Sequence, residues 1–402
     1  MPSGRDTQSC TRVCHVVEGL GYGGAETLVH QLALRMRDTP FAPLVCCLQD
    51  GPVGEAMRRD GIIVESLDLP RRTIAEGPAF GIFVARVVAR LRRVLHRHDV
   101  RLLHAHLHDP IIWASAAGFL HGTPVVGTYH GLGIMPAGRG ALDPRNALRR
   151  ALYRLAARHA ARIIAVSSPV RDLLCSTLGF SPATTIVLTN GIDTAAFAGA
   201  RGGTRVRAEL GLDGRRVVTC VGRLVPNKGQ ALLVDALGEL QTTHPDLVLL
   251  LVGDGPDRDA LAAHAASRGV AARVVFASRR QDVADVLAAS TLFVLPSFAE
   301  GIPLALLEAM AAGLPVVATA VPGTMDVVTD PSLGVLVPPH DAGALAAGIA
   351  RLLDHPDEAR GMALAGQAHV RRHFDLGSMV AATAALYQSV LAERVSGQRA
   401  AA

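Results

Sequence analysis

Short, densely apolar runs recur along this chain and alternate with longer stretches of helical periodicity. That rhythm calls for parallel β-sheets covered by helices on both faces. In the first half the runs predict strands at Arg12–Val17, Leu44–Leu48, Ile62–Leu67, Arg101–His106, Pro124–Thr128, Arg162–Val166 and Thr184–Leu188. Helical patterns fill the intervals, among them Ala25–Met36, Phe80–His98 and Arg145–Ala160. The series then restarts, with strands expected at Val217–Val221, Leu247–Val252, Arg273–Phe276, Thr291–Leu295, Pro315–Ala318 and Gly334–Val337. The small, polar, Gly-rich stretch Ala195–Arg207 lies between the two series and reads as a linker. The expected architecture is α/β, with two Rossmann-like, doubly wound domains over residues 1–195 and 196–375. A last helix, 376–402, carries its amphipathic pattern from Leu376 to Glu393. Ligands of such sheets collect at the carboxyl ends of strands, here in a cleft between the domains.

Composition narrows the classes. Half of the 402 residues are apolar and 19% are charged, which excludes disorder and supplies two cores. Residues 1–195 carry 22 Arg against 15 acids, and the remainder 18 basic against 20 acidic groups. A basic first half suits an anionic membrane surface or an anionic acceptor. Nucleic acid is not expected, because the arginines are not interleaved with aromatics that stack on bases. The first eleven residues are polar and hold no apolar leader core, so a cytoplasmic location is expected, with peripheral contact at the inner face of the plasma membrane as its extension. Cys10, Cys14, Cys46, Cys47, Cys175 and Cys220 form no CxxC pair and read as reduced, mostly buried thiols. The charge-free stretch Pro110–Gly138 is broken by Gly, Pro and His, and reads as strands, turns and a short helix instead of a membrane span.

Three segments carry chemistry. Glu300-Gly301-Ile302-Pro303 follows an apolar strand and opens a helix that bears Glu308. Pro303 suits the first helical position, and the turn before it offers backbone N–H groups to an anion or a hydroxyl-rich ligand. The two carboxylates are placed to accept hydrogen bonds from sugar or ribose hydroxyls. Gly222-Arg223 and Lys228-Gly229 follow another strand, and two cations around such a turn can grip a pyrophosphate and stabilise a departing diphosphate. Lys228 is the single lysine among 40 basic residues, which makes its place in a Gly-flanked loop the more telling. The run Gly19-Leu20-Gly21-Tyr22-Gly23-Gly24 fits G-x-G-x-x-G, but its acidic partner, Asp50, falls beyond the usual spacing.

Other clusters read more plainly. His104, His106 and His108 alternate along a strand end. They read as cleft-lining or packed side chains ahead of a metal site, which needs a further ligand such as Asp109. Asp257-Arg258-Asp259 mimics a metal-binding DxD but sits at a helix start, where acids suit the dipole. Arg150, Arg154, Arg158 and Arg162 recur every four residues, with Leu148, Leu152 and Leu155 expected on another face. This stripe, with Arg86, Arg90, Arg93 and Arg97, is a candidate contact for anionic lipid headgroups, or a solvated helix face.

Taken together the chain resembles glycosyltransferase family four, retaining enzymes of the GT-B fold. The matching pieces are GYGGAE (21–26), HAH (104–106), TYHG (128–131), AVS (165–167), NGID followed by Phe197, VGRLVPNKG (221–229), GDGP (253–256) and PSFAEGIPLALLEAMAAGLPVVAT (296–319). The resemblance implies transfer of a sugar from a nucleotide diphosphate sugar, with retention, to a polysaccharide, lipid-linked or other hydroxyl acceptor, with no metal and no cofactor. It implies that Arg223 and Lys228 bind the donor diphosphate and Glu308 the ribose. Glu300, with the backbone of Gly301, Ile302 and Pro303, would hold the transferred sugar. His130 would lie over that sugar, Gly23 and Gly24 would approach the phosphates, and the last helix would cross back to the first domain. Closure of the domains over the donor would hinge near Asn190–Asp193, and transfer would follow a front-face route with no covalent nucleophile. Two positions depart from the family pattern: Ser278 stands where Gly is common, and Asp326 where Glu is frequent. A nicotinamide-dependent oxidoreductase using the Gly19–Gly24 loop and a non-catalytic partner subunit of the same fold stay open as alternatives at this point.

Overall fold

Runs such as LVLLLV have no polar face to turn to water, so each must become a strand buried on both sides. The computed structural model describes residues 10–72, 76, 78–131 and 144–401, in two units. The polar stretch 1–9, on which the expectation about a leader rests, lies outside them, as does 132–138, the end of the charge-free run.

Unit 1 comprises Met1–Thr189 with Gly377–Ala402. Among the described residues it holds seven parallel strands: β1 (Thr11–Gly19), β2 (Phe41–Gln49), β3 (Ile63–Ser66), β4 (Leu102–His106), β5 (Val125–Tyr129), β6 (Arg162–Ala165) and β7 (Thr185–Val187), in the order β3-β2-β1-β4-β5-β6-β7. Unit 2, Asn190–Leu376, holds β8 (Arg216–Val221), β9 (Leu247–Val252), β10 (Val274–Phe276), β11 (Leu292–Leu295), β12 (Val316–Thr319) and β13 (Val335–Val337), in the order β10-β9-β8-β11-β12-β13. Every strand expected from the apolar runs is present. The ends shift where pairing outlasts hydrophobicity: β2 begins at Phe41 because Phe41, Ala42 and Pro43 continue its register with Thr11, Arg12 and Val13.

Alternation along the strands sorts the unit 2 core into two layers. Val218, Cys220, Leu249, Leu251, Val294 and Val317 pack with Leu233, Leu237 and Ile349 on one face. Val217, Val248, Leu250 and Val252 pack with Val206, Leu212 and Val286 on the other. Each such fully buried side chain contributes roughly 1.5–3 kcal/mol relative to an exposed one.

Two local expectations are corrected. The stretch read as a linker folds into helices Thr194–Ala198 and Gly203–Leu210 within unit 2. Its glycines serve close packing, not slack: Gly202 donates its N–H to Asp285 Oδ1 at 2.9 Å, and a Cβ on Gly203 would lie 2.6 Å from the Ala288 carbonyl oxygen. His108 does not extend β4. Leu107 turns the chain at φ 70°, and His108 opens the helix His108–His121. The helix Pro144–His159 buries Tyr153, Ala156 and Ala157 and leaves Leu148 and Leu155 in solvent, on a face apart from Arg150 and Arg154. The small residues win the buried face because the helix lies close against its neighbour.

Helix Leu376–Ala401 belongs, from Gly377 on, to unit 1, where Tyr387 is fully buried edge-on to Phe41 at 5.3 Å. The two chain segments that enter and leave unit 2 are bonded to each other. Ile192 donates its N–H to the Phe374 carbonyl, and Leu376 donates to Ile192, each at 2.9 Å.

Candidate functional site

In unit 2 the strand order reverses between β8 and β11, and a doubly wound sheet gathers ligands outside the carboxyl ends of strands at such a point. The loop after β8 carries Gly222, Arg223, Lys228 and Gly229; the loop after β11 runs from Pro296 to Pro303. The two strongest sequence signals, 71 positions apart at Lys228–Gly229 and Glu300, thus flank one switch point.

Their side chains meet. Lys228 Nζ donates to Glu300 Oε1 at 2.6 Å, with the lysine side chain 27% and the glutamate side chain 9% exposed. A carboxylate this enclosed is stable only with its cation beside it. Arg223 is exposed at the same rim. Its carbonyl accepts from Gln230 Nε2 at 2.8 Å, and no carboxylate among the described residues pairs with its guanidinium. Glu308 lies in helix Leu304–Ala311, one turn from its start. It is half-buried in surface terms, yet the protein crowded around its carboxyl desolvates it and pushes its pKa up to about 7. Pro303 sits one place earlier than expected, as the residue before the helix. Gly301, Ile302 and Pro303 are themselves buried.

Glycines press these loops together. Gly229 has φ 67°, and a Cβ there would lie 2.1 Å from the Pro296 carbonyl oxygen, so only glycine lets the two loops touch. Phe298 adds a backbone bond, donating its N–H to Asn227 O at 2.8 Å, and stacks on His340 at 3.9 Å. The GDGP turn buttresses the first loop, with Leu224 donating to Asp254 O at 3.0 Å. Gly253 in turn donates its N–H to the Ser278 carbonyl at 2.7 Å, and Ser278 adopts φ 49°, a left-handed conformation that explains why glycine suits the position.

Unit 1 reverses its order between β1 and β4. The loop after β1 leads through Gly23, extended at φ −169°, into helix Gly24–Met36. Glu26 fills the space beside Gly23: a Cβ there would lie 2.2 Å from its Oε2. A carboxylate therefore occupies the dipole position read as a phosphate approach at Gly23 and Gly24. Asp50 is committed to local structure, accepting the Gly51 N–H at 2.8 Å and pairing with Arg58 at 2.6 Å, which removes the acidic ligand a dinucleotide site needs. His130 follows β5, half-buried, with Nε2 3.2 Å from His106 Nδ1.

Sequence reasoning passed over a polar group at this edge. Tyr153 donates to Asp109 Oδ1 at 3.0 Å and accepts from Arg149 Nε at 2.8 Å. Glu18, at the end of β1, pairs with Arg71; burial foremost, and then the Asp109 and Glu26 charges, raises its carboxyl pKa against the pull of Arg71. The signal was available in Glu18 directly before the glycine loop and Asp109 directly after the histidines.

His104 and His106 are buried, as packed side chains, and His15 is the member of the group that the sequence reading missed. His15 joins the histidines because β1 pairs with β4 in a register that sets His15 beside His104. Among the described residues, His15, His104 and His106 are the group whose ligand atoms all lie within 4.8 Å of one another. His104 has both ring nitrogens engaged, Nδ1 by Tyr387 and Nε2 by Thr128 Oγ1 at 2.7 Å, and Asp109 is held by Tyr153, so the arrangement is a packed polar cluster. The DxD look-alike behaves as its position suggests: Asp257 precedes helix Arg258–Ser267 and the Asp259 side chain is 98% exposed.

Comparison with known proteins covers both units. Residues 204–369 match the profile described as Glycosyl transferases group 1, and residues 22–196 match Glycosyltransferase Family 4. The chain is 32% identical over 330 residues to a GDP-mannose-dependent alpha-(1-6)-phosphatidylinositol monomannoside mannosyltransferase of Mycolicibacterium smegmatis, covering 78% of this chain and 81% of that one. It is 30% identical to the alpha-maltose-1-phosphate synthase of the same organism over 391 residues, 92% and 96% of the two chains. Among solved structures, Anabaena Alr3699/HepE in complex with UDP-glucose superposes with a TM-score of 0.80 at 26% identity, over 94% of this chain and 99% of that one.

The imidazole cluster has a consequence for acid stability. Burial lowers the pKa of His15 and His130 to about 4, and holds His104 and His106 well below the usual 6.5. The folded state therefore disfavours protonation, and the cluster's contribution is complete above pH 6.5 and lost as pH falls toward 4. A full shift of this size is worth roughly 3 kcal/mol per ring. The melting temperature of the protein is expected to drop steadily from pH 6.5 to 4, and to drop less in His15→Phe; a flat profile in the wild type contradicts the assignment.

Proposed function

Because this chain belongs to the family-four glycosyltransferases, enzymes that draw on nucleotide sugars, we propose that it moves a sugar from a nucleotide diphosphate sugar to a hydroxyl of a carbohydrate or lipid-linked acceptor, with retention of anomeric configuration and without a metal. The observation that carries this reading is the Lys228–Glu300 ion pair at the β8/β11 switch point. In the free enzyme each charge is the other's counterion. An arriving diphosphate offers Lys228 and Arg223 stronger anions, and frees the Glu300 carboxylate to accept hydroxyls of the sugar. In the exchange the ammonium passes to a new anion and the carboxylate to hydroxyl hydrogen bonds, so neither is left without a polar partner. Lys228 and Arg223 then stabilise the charge that develops on the leaving diphosphate, the task a metal performs in other transferases. Glu308 takes the ribose hydroxyls, with the buried Gly301–Pro303 turn closing against the sugar.

On the acceptor side the reading rests on Glu18, Asp109 and His130 at the carboxyl edge of the unit 1 sheet, where acids and an imidazole suit sugar hydroxyls. GDP-mannose in the name of one relative and UDP-glucose in the complex of a structural neighbour make guanine and uracil the first bases to test. An oxidoreductase reading loses its support with Asp50 tied to Gly51 and Arg58.

Contact with an anionic membrane belongs to the same proposal, on a cytoplasmic face, but through a surface that shares only Arg158 with the arginine stripe. Arg154 donates to the Leu178 carbonyl at 2.5 Å, Arg162 pairs with Glu393 at 2.5 Å, and Arg97 with Glu65 at 3.1 Å, so those charges are spent within the protein. Exposed instead are Leu148 and Leu155 on an acid-free helix, and beside them Phe119 and Leu120, with Phe119 5.0 Å from the His159 ring. Arg158 flanks this apolar strip, and the guanidinium groups of Arg92 and Arg394 lie near His121 at its end. An apolar strip edged by cations suits the interface of an anionic bilayer. Among the described residues no helix is long and apolar enough to cross one.

Lys228→Ala and Glu300→Gln are each expected to lower kcat/KM by roughly 100- to 1,000-fold, the scale of losing one transition-state contact, with the circular-dichroism spectrum unchanged. Turnover retained by both variants removes the site assignment. A thermal-shift panel of UDP-, GDP- and ADP-sugars with EDTA present tests donor and metal independence together, since only a bound donor raises the midpoint. With Glu308 titrating near 7 and acting as a carboxylate acceptor, donor affinity is expected to rise as pH increases from 6 to 8; Glu308→Gln flattens that dependence. In liposome sedimentation, binding is expected to grow with phosphatidylglycerol content and to fall in Phe119→Ser/Leu155→Ser; indifference to anionic lipid discards the membrane contact.

A further inference from the structure

Three imidazoles in unit 1 form a continuous run. His15 Nδ1 lies 3.0 Å from His106 Nε2, and His106 Nδ1 lies 3.2 Å from His130 Nε2. The rings are nearly parallel, at 21° and 23°, with centroids 5.3 and 5.5 Å apart. His104 stands 4.1 Å from His106 but does not enter the run, because Tyr387 and Thr128 satisfy both of its nitrogens. The two ends of the run, His15 Nε2 and His130 Nδ1, are enclosed and lack a hydrogen-bond partner among the described residues.

A neutral imidazole has one N–H and one lone pair. Three neutral rings in series therefore hold three protons, of which two make the N–H···N bonds and one is left at an end. The protons must all point the same way along the run, so the tautomer of each ring is set by its neighbour. Either His15 bears the free N–H and His130 the free lone pair, or the reverse. His15 is wholly buried at 0% exposure, while His130, directly after β5, is partly exposed as a residue; its Nδ1 is enclosed in the free protein but is the end of the run nearer to an incoming ligand or water. An orphaned buried N–H is less tolerable than an orphaned lone pair, which assigns the lone pair to His15.

We propose that His15 and His106 are positioning residues for His130, and that the run of three rings holds His130 as its Nδ1–H tautomer, a hydrogen-bond donor ready for an oxygen of a bound sugar. His106 donates Nδ1–H to His130 Nε2, and His15 donates Nδ1–H to His106 Nε2. His106 is the last residue of β4, and Leu107 beyond it turns at φ 70°, so the sheet and the turn together hold the middle ring in place. The consequence for turnover rests on the proposed role of His130 at the sugar; the tautomer itself is measured independently of that role.

The test is imidazole nitrogen NMR on the full chain labelled at histidine, at pH 7.5, with turnover measured alongside. His130 is expected to show the Nδ1–H pattern in the wild type and in His15→Phe, which keeps the His106–His130 bond. In His106→Phe it reverts to Nε2–H or to a mixture, and kcat falls roughly 10- to 100-fold, the scale on which a displaced site group acts. The donor-induced thermal shift is expected to persist in that variant. His106→Gln, whose amide can donate to His130 Nε2, restores the Nδ1–H pattern and most of kcat. An Nε2–H His130 in the wild type, or a His130 signal unmoved by His106→Phe, overturns the inference. Should His106→Phe fail to fold, the wild-type spectrum and His106→Gln decide it alone. Full turnover in His130→Ala refutes the sugar-facing role of His130 and leaves the tautomer result standing.

Discussion

A parallel sheet covered on both faces has no wet surface along its strands, so polar chemistry is driven to the strand ends and to the loops beyond them. Both units obey that constraint. In unit 2 it concentrates Lys228, Arg223, Glu300, Glu308 and close-packed glycines at the reversal between β8 and β11. The Lys228–Glu300 bond spans the two loops there, and its stability depends on glycines at 229 and 253 that let backbone approach backbone. Loop packing and charge pairing are one device: without the close approach the ammonium does not reach the carboxylate, and without the pair an enclosed glutamate is left uncompensated.

Unit 1 departs from the constraint in one place. His15, His104 and His106 point into largely apolar layers, and each costs desolvation that an apolar side chain would not. They are tolerated because they stay neutral and satisfy one another, Tyr387 and Thr128. Tyr387 comes from the helix that returns to unit 1 after the whole of unit 2, so the cluster is completed by the last segment of the chain. The same economy explains Glu308, kept as a raised-pKa carboxyl near the site instead of as a paired charge.

The strands were legible throughout, because a continuous apolar run bounded by turns has few other fates in a parallel sheet. The Glu300 and Lys228 loops were legible too, as polar and glycine signals placed directly after such runs. One misreading arose because glycine has two meanings. The glycines at 202 and 203 serve close packing on Asp285 and Ala288, not a flexible joint. Leu148 and Leu155 face solvent because Tyr153 and small alanines make the tighter helix contact. A hydrophobic pattern ranks faces by apolarity, whereas packing ranks them by fit.

The sequence by itself determined the fold class, the thirteen strands and the residue types at each strand end, since these follow from periodicity and local backbone chemistry. Only the tertiary structure decided which of those ends are neighbours. Residues 72 positions apart in Lys228 and Glu300, 91 apart in His15 and His106, and 283 apart in His104 and Tyr387 meet because of strand order and the returning helix. Strand order is set by how whole layers bury their faces against each other, a sum over distant contacts that no local pattern records.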